Sequence, residues 1–367
     1  MKMKAAVLYD RAEPLRVEEV ILDPPQDQEV LVRLVATGVC HTDLHVITGD
    51  IGLPLPIVLG HEGAGIVEEV GPGVTTLQRG DHVVLVVIWS CGKCPYCAVG
   101  VPSQCTVGMM SMVMESLPGG GKRLRNKDNQ ELGHFFNQSS FAEYAVVHER
   151  SAVKIREDAP LEVASLFGCG VTTGVGSVLN LAGIKAGESI AIYGCGGVGL
   201  SAIMGARLAG AGKIIAVDLL EHKLEWAKEL GADYVINASR ENPPQRVVEL
   251  TGGADYAIEC IGNVDATSQA LASIRPRGKC VLVGSYPSAA TVSIAPSTDF
   301  TTLGKTLTGG LQGSIVASVD VPRYVDLYMA GKLPVDKLIS RYYSLDDIND
   351  AFEALKKGEV MRSIIRF

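Results

Sequence analysis

Cys91, Cys94, Cys97 and Cys105 stand in the spacing C-x2-C-x2-C-x7-C, with Gly92 and Pro95 bending the backbone between them. Thiolates this dense can close a tetrahedron around one soft divalent ion, and Zn²⁺ is the usual occupant of a four-sulfur site. Two disulfides are the competing reading. Context disfavours it: the first ten residues hold no apolar run of signal-peptide length, and the other five of the nine cysteines are scattered through apolar or glycine-rich stretches. Four thiolates leave no open position for a substrate. The site is expected to be structural, and the chemistry to lie elsewhere.

A second constellation is Gly194-Cys195-Gly196-Gly197-Val198-Gly199, which fits G-x-G-x-x-G. Alone the pattern is weak, but here it follows an apolar strand and opens a helix. Glycines at Gly194, Gly196 and Gly199 permit a tight turn and close approach to a pyrophosphate, and the helix N-terminus offers free N–H groups. Asp218 lies nineteen residues past Gly199, at the end of the next strand. A carboxylate there accepts hydrogen bonds from the adenosine ribose and repels a 2′-phosphate. NAD is therefore expected over NADP.

Further metal-ligand candidates are Cys40, in Cys40-His41-Thr42-Asp43-Leu44-His45, His61 and Glu62, in Gly60-His61-Glu62-Gly63, and Cys169, between Gly168 and Gly170. Each has an ordinary alternative as a small core residue or a surface histidine. Spacing alone cannot join residues so far apart. Cys195, Cys260 and Cys280 read as small apolar residues.

These groups must be carried by more than one core, since 367 residues exceed what a single core usually supports. Hydrophobic content of 47% and charged content of 20% describe an ordinary globular protein, and the net charge of −8 disfavours a nucleic-acid partner. No run of eighteen apolar residues suggests a membrane span. An odd number of cysteines suits a reducing compartment, so a cytoplasmic location is expected. The first 150 residues read as short strands, such as Glu29–Ala36, Ala64–Val70 and His82–Val87, punctuated by glycine and proline. From Ser189 strands alternate with helices: Ser189–Tyr193, Gly197–Ala209, Lys213–Val217, Glu221–Glu229, Tyr234–Ile236, Tyr256–Glu259 and Lys279–Val283 would build a doubly wound parallel sheet. The tail ends in an apolar strand, Ser363–Phe367. The expected organisation is a mostly β domain over 1–170, an α/β dinucleotide domain over 171–311, and a return to the first domain over 312–367. Gly119 to Leu132 reads as a polar loop.

Taken in order along the chain, Cys40-His41-Thr42-Asp43, Gly60-His61-Glu62-Gly63, the four-cysteine lobe, Gly168-Cys169-Gly170-Val171-Thr172-Thr173-Gly174, the glycine turn and Arg362-Ser363-Ile364-Ile365-Arg366-Phe367 resemble the zinc-dependent medium-chain alcohol dehydrogenases over essentially the whole length. The resemblance implies a GroES-like catalytic domain beside a Rossmann domain, and two Zn²⁺ per chain. Cys40, His61 and Cys169 would hold the catalytic zinc; two thiolates plus an imidazole is the known open set of alcohol dehydrogenases. Zinc would acidify the alcohol, whose hydride passes to NAD. Thr42 would take the substrate proton, His45 relay it, Asp43 orient His61, and Glu62 tune the metal. His41 and Arg362 would lie near the pyrophosphate, Lys223 near the adenosine ribose, and Thr173 and Val198 against the nicotinamide.

The same resemblance points Val87, Met110, Phe135, Phe136 and Ser285 toward the substrate, with core packing as the alternative. A small residue at Val87 and an aromatic pair at Phe135 and Phe136 favour bulky, aromatic or allylic primary alcohols. Glutathione-dependent formaldehyde dehydrogenases rank second, because Cys105–Leu117 carries no basic residue for an anionic substrate. A catalytically silent NAD-binding, zinc-stabilised protein is the non-enzymatic alternative. Apolar stretches at Lys279–Val283, Thr291–Ile294 and Gly304–Gly310 suggest a sheet edge that pairs across a twofold axis, giving a homodimer.

Overall fold

Strand Glu29–Val39 is an eleven-residue run with nine buried positions, and it organises everything around the first site. Its Val- and Leu-rich sequence fits a strand covered on both faces. It pairs antiparallel with Gly63–Val70, with Tyr144–His148 and with the C-terminal strand Arg362–Arg366. The register sets Thr37 opposite Gly63 and Gly38 opposite Ile364. Three strand ends therefore meet, and Cys40, His61, Glu62 and Arg362 are adjacent because hydrogen-bonded registers put them there.

The computed structural model describes residues 1–287 and 289–367. They divide into two units, one of 1–169, 316–331 and 335–367, the other of 170–315 and 332–334. The second crossing falls at Ile315, later than the expected 311. The physical reason is close backbone packing: Asn180 Nδ2 donates to the Gly313 carbonyl at 3.2 Å, and a Cβ on Gly176 would lie 2.7 Å from that oxygen.

In the first unit the sheet just described accompanies a small closed barrel of Lys2–Leu8, Arg16–Leu22, Leu124–Arg125, Glu131–His134 and Ile57–Val58. Leu124–Arg125 lies inside Gly119 to Leu132 and Glu131–His134 begins there, so that segment is not simply a loop. Asn126 closes its hairpin, its Oδ1 accepting from the N–H groups of Asp128 and Gln130 at 3.0 Å each.

The second unit holds a six-stranded parallel sheet in the order Tyr234–Asn237, Lys213–Asp218, Ser189–Tyr193, Ala254–Glu259, Ile274–Leu282, Thr306–Gly309. The first strand in sequence lies in the middle, so the order reverses beside it, as in doubly wound sheets. Helix Gly197–Leu208 is buried from Gly199 through Ala206. Thr291–Ile294 forms no strand, and the edge is instead Thr306–Gly309, paired in parallel with Ile274–Leu282. Among the described residues no single helix is long and apolar enough to cross a membrane.

His134 ends a barrel strand and leads into the aromatic pair Phe135 and Phe136. Its Nε2 accepts the Arg123 N–H at 2.9 Å, and burial pushes its pKa down to about 3. The unfolded chain takes up a proton near pH 6.5, whereas the folded chain does not until about pH 3. Stability contributed by neutral His134 is thus complete above about pH 6.5 and declines as pH falls toward 3. Thermal melts of wild type and His134→Gln between pH 7 and 4 are expected to converge as acid is added, because only the wild type carries this dependence.

Candidate functional site

Around the four-cysteine lobe the backbone supplies N–H donors to sulfur. Cys105 Sγ accepts from Cys91 and Gly108, and Cys91 Sγ from Cys94, each at 3.3 Å. Cys94 Sγ lies 3.5 Å from Cys97 Sγ and 3.9 Å from Cys105 Sγ. A tetrahedral Zn²⁺ with Zn–S bonds of about 2.3 Å has sulfur–sulfur edges of about 3.8 Å. All four sulfurs lie within 4.8 Å of one another, so the lobe fits one closed zinc site. A backbone N–H of Cys97 leads in holding the Cys94 thiol down at about 6, the protonation behaviour of a ready ligand.

The second cluster brings Cys40, His61, Glu62 and Cys169 together, with one ligand atom from each within 4.8 Å of the others. Cys40 is the N-cap of helix His41–Thr48, and Asp43, in its first turn, is fully buried. Asp43 Oδ2 accepts the Cys40 N–H at 3.3 Å; Oδ1 accepts the Gly60 N–H at 3.0 Å and lies 3.1 Å from His61 Nδ1. That contact puts the imidazole proton on Nδ1 and leaves the Nε2 lone pair for a metal. Nε2 is buried without a hydrogen-bond partner, as a ligand nitrogen would be.

Charge in the cluster calls for a cation. Burial lowers the His61 pKa, yet Asp43 and Cys40 outweigh it and hold it well above its usual value. Cys40 is held well below its own, chiefly by a hydrogen bond with Cys169, whose pKa is raised in turn. A divalent ion bound by the same atoms would supply the positive charge that the proton on His61 otherwise provides. Glu62 is pushed up by burial, with Arg362 opposing. The Arg362 guanidinium, itself buried, donates to Glu62. Gly38 makes that pairing possible, since a Cβ there would sit 2.0 Å from Glu62 Oε2.

Other expected residues fall on both sides of this cluster. Thr42 Oγ1 lies 3.7 Å from Cys40 Sγ. His45 is partly exposed, and its Nδ1 lies 3.1 Å from Asp50 Oδ2, which also accepts the Thr48 hydroxyl at 2.7 Å. Asp50 was not among the candidates; its only signal in the sequence is an acid just past the helix-ending Gly49. Phe135 and Phe136 stack on each other at 4.1 Å, and both present themselves edge-on to His61, at 5.4 and 5.3 Å. Phe135 and Val87 are buried, and Phe136 is half-buried. Met110 is 60% exposed on helix Thr106–Val113. His41 is exposed. Arg362 donates from Nη2 to Glu62, and its Nε has no hydrogen-bond partner.

Thr173, Val198, Lys223 and Ser285 belong to the second unit, as does the glycine turn. Gly194 has φ +95°, and a Cβ on Gly199 would lie 1.7 Å from the Gly194 carbonyl, so neither position accepts a side chain. Asp218 Oδ2 accepts the Cys195 N–H at 2.8 Å and Oδ1 the Leu220 N–H at 3.0 Å, which fixes the carboxylate beside the turn. Cys195 is buried and its thiol pushed up by that burial, so it stays protonated and unreactive.

Residues 26–157 match the alcohol dehydrogenase GroES-like domain and residues 197–329 the zinc-binding dehydrogenase domain. The chain belongs to the zinc-dependent medium-chain alcohol dehydrogenase family, NAD-linked oxidoreductases that act on CH–OH groups and carry zinc. Among its relatives is the S-(hydroxymethyl)glutathione dehydrogenase of Paracoccus denitrificans, 39% identical with all of both chains covered. A zinc-binding alcohol dehydrogenase domain protein of Burkholderia ambifaria superposes with TM-score 0.96 at 39% identity, covering 100% of this chain and 99% of that one. Benzyl alcohol dehydrogenase of Acinetobacter calcoaceticus does so with TM-score 0.95 at 38% identity and the same coverage. The first of these names is the reading ranked second from sequence, and the relatives back it more strongly than the first-ranked one; the benzyl alcohol enzyme supports the latter.

The two clusters are separable by substitution. Cys94→Ser is expected to remove one zinc and much of the thermal stability, because a structural site contributes folding free energy directly. Cys169→Ser is expected to remove the other zinc and nearly all turnover while the fold survives. Elemental analysis with thermal melts checks both; two zincs retained in either variant contradicts the assignment.

Proposed function

We propose that Cys40, His61 and Cys169 hold a catalytic Zn²⁺ and that the chain oxidises alcohols to carbonyl compounds, and the reverse, with NAD. The observation that carries this is the convergence of those three ligands around the unpartnered His61 Nε2. When bound, zinc supplies the Lewis acidity that makes an alcohol hydroxyl acidic, and NAD takes the hydride. Thr42 Oγ1 receives the hydroxyl proton and hands it to His45, which Asp50 steadies through Nδ1 and which releases it to solvent. Asp43 keeps the His61 ring aligned, and the Glu62–Arg362 pair limits the negative charge facing the metal.

Gly194, Gly196 and Gly199 make room for the pyrophosphate within the second unit. Asp218 and Lys223 take the adenosine ribose, and Thr173 and Val198 pack the nicotinamide. We also propose a homodimer joined through the edge strand Thr306–Gly309 and a cytoplasmic location, where eight-residue-spaced thiol ligands such as Cys97 and Cys105 stay reduced for metal.

For the substrate, the geometry favours a bulky apolar or aromatic alcohol. Helix Thr106–Val113 exposes Val107, Met109, Met110 and Val113 and carries no charge. S-(hydroxymethyl)glutathione is the second reading, favoured by the relatives' names, and its carboxylates would lack a cation on this helix. A panel with NAD decides: benzyl alcohol is expected to give a kcat/KM at least about tenfold above formaldehyde plus glutathione, the scale of one unpaired charged contact. The opposite order establishes the second reading. Asp218→Gly is expected to raise NADP use relative to NAD, and a wild type that already prefers NADP contradicts the role of Asp218.

A further inference from the structure

Just past barrel strand Glu131–His134 the backbone turns left-handed at residues that are not glycine: Phe136 at φ +46°, Asn137 at +60° and Ser139 at +54°. Asparagine tolerates that region because its short polar side chain bonds locally, whereas an aromatic residue there is an outlier. Such a turn persists only where its surroundings impose it. Ser139 anchors it to strand Ile57–Val58, its Oγ accepting the Phe135 N–H at 2.9 Å and donating to the Val58 carbonyl at 2.7 Å. Asn137 anchors it elsewhere. This side chain is fully buried; its Nδ2 donates to the Ser116 carbonyl at 2.7 Å, and its Oδ1 lies 3.0 Å from Ser111 Oγ. Ser111 sits on helix Thr106–Val113, where the same hydroxyl lies 2.8 Å from the Gly108 carbonyl.

The anchored turn carries Phe136, whose half-buried ring stands edge-on to His61 at 5.3 Å. His61 Nε2 is the atom left for the metal. A half-buried ring this close to a metal ligand is within reach of a molecule held at the metal's open position. At its other end the anchor reaches the four-cysteine lobe. Cys105 is the N-cap of helix Thr106–Val113, and its Sγ accepts the Gly108 N–H at 3.3 Å. Asn137 therefore links the helix that a closed zinc site would hold to the aromatic turn beside the reactive cluster. Both lie in the first unit.

We propose that Asn137 is a positioning residue for substrate size: held by Ser111 and Ser116, it fixes the turn that sets the Phe136 ring as a wall beside the reacting centre. Without the amide, the turn loses its tie to helix Thr106–Val113 and the ring no longer has a single place. A bulky aromatic alcohol must then order that ring as it binds, and its affinity falls. An alcohol too small to reach the ring is spared. Turnover of bound substrate depends on the metal ligands and the coenzyme, which Asn137 does not touch. This rests on the alcohol dehydrogenase reading above.

Asn137→Gly tests it, since glycine accepts the same φ and removes only the side chain. Steady-state rates with NAD are measured for benzyl alcohol and for ethanol, beside zinc content and a thermal melt. KM for benzyl alcohol is expected to rise about three- to tenfold, the scale of a lost hydrogen bond. KM for ethanol and both kcat values are expected to stay within about twofold, with two zincs retained. Ser111→Ala is expected to move the benzyl-to-ethanol KM ratio in the same direction, and it alone decides if the melt shows Asn137→Gly unfolded. In a Phe136→Ala background, Asn137→Gly is expected to leave that ratio where it is, because the ring it positions is gone. An unchanged ratio in the single variant overturns the proposal, as does an equal rise for both alcohols or a further shift in the Phe136→Ala background. Wild type that reduces NAD with neither alcohol overturns the alcohol dehydrogenase reading and the proposal with it.

Discussion

Two oxygens of one buried carboxylate hold the reactive cluster in register. Asp43 receives the N–H that opens helix His41–Thr48, the N–H of Gly60 in the turn before strand Gly63–Val70, and the Nδ1 contact of His61. A buried charge of this kind is tolerated only when its lone pairs are occupied, and here they are. The same interaction joins two chain segments, fixes the imidazole tautomer and turns Nε2 toward the two cysteines. Losing it would leave a buried charge unpaired and a ligand free to rotate.

Around that carboxylate the first unit handles a concentration of buried ionisable groups. Cys40, Cys169 and Glu62 would repel one another as anions, and His61 and Arg362 supply the compensating charge. Space is as important as charge: Gly38 is bare because Glu62 and Arg362 fill the volume its side chain would need. Phe135 and Phe136 close the apolar side against the His61 ring, which raises the value of each remaining electrostatic contact by excluding water.

The second unit meets a different demand, bringing backbone close to a large anion. Close approach explains its glycines at Gly194 and Gly199, and a carboxylate at each of two strand ends, Asp218 and Glu259, organises the loops there. Asp218 braces the turn through Cys195, whereas Glu259 braces the opposite loop through three N–H groups. Carboxylates accept several N–H bonds at once and so order irregular backbone without adding bulk.

The sequence by itself determined the closed four-cysteine site, the glycine turn with Asp218, and the parallel order of strands after Ser189. Each of these is encoded locally, in spacing, turn chemistry and hydrophobic period. It also named Cys40, His61 and Cys169, but only through the order of separated motifs, because no local rule links positions so far apart. Tertiary structure decided what depends on long-range register. Strand pairing between Glu29–Val39 and Arg362–Arg366 brought Arg362 onto Glu62, a partner that no local pattern in the sequence links to it. Folding also drew parts of Gly119 to Leu132 into barrel strands, buried Phe135 and Val87, and paired His45 with Asp50. The contact of Tyr286 with Glu259 belongs to the same class, for it joins the ends of two neighbouring strands. Burial and pairing of charges are properties of the folded arrangement, and a linear pattern records which groups are present without recording which of them meet.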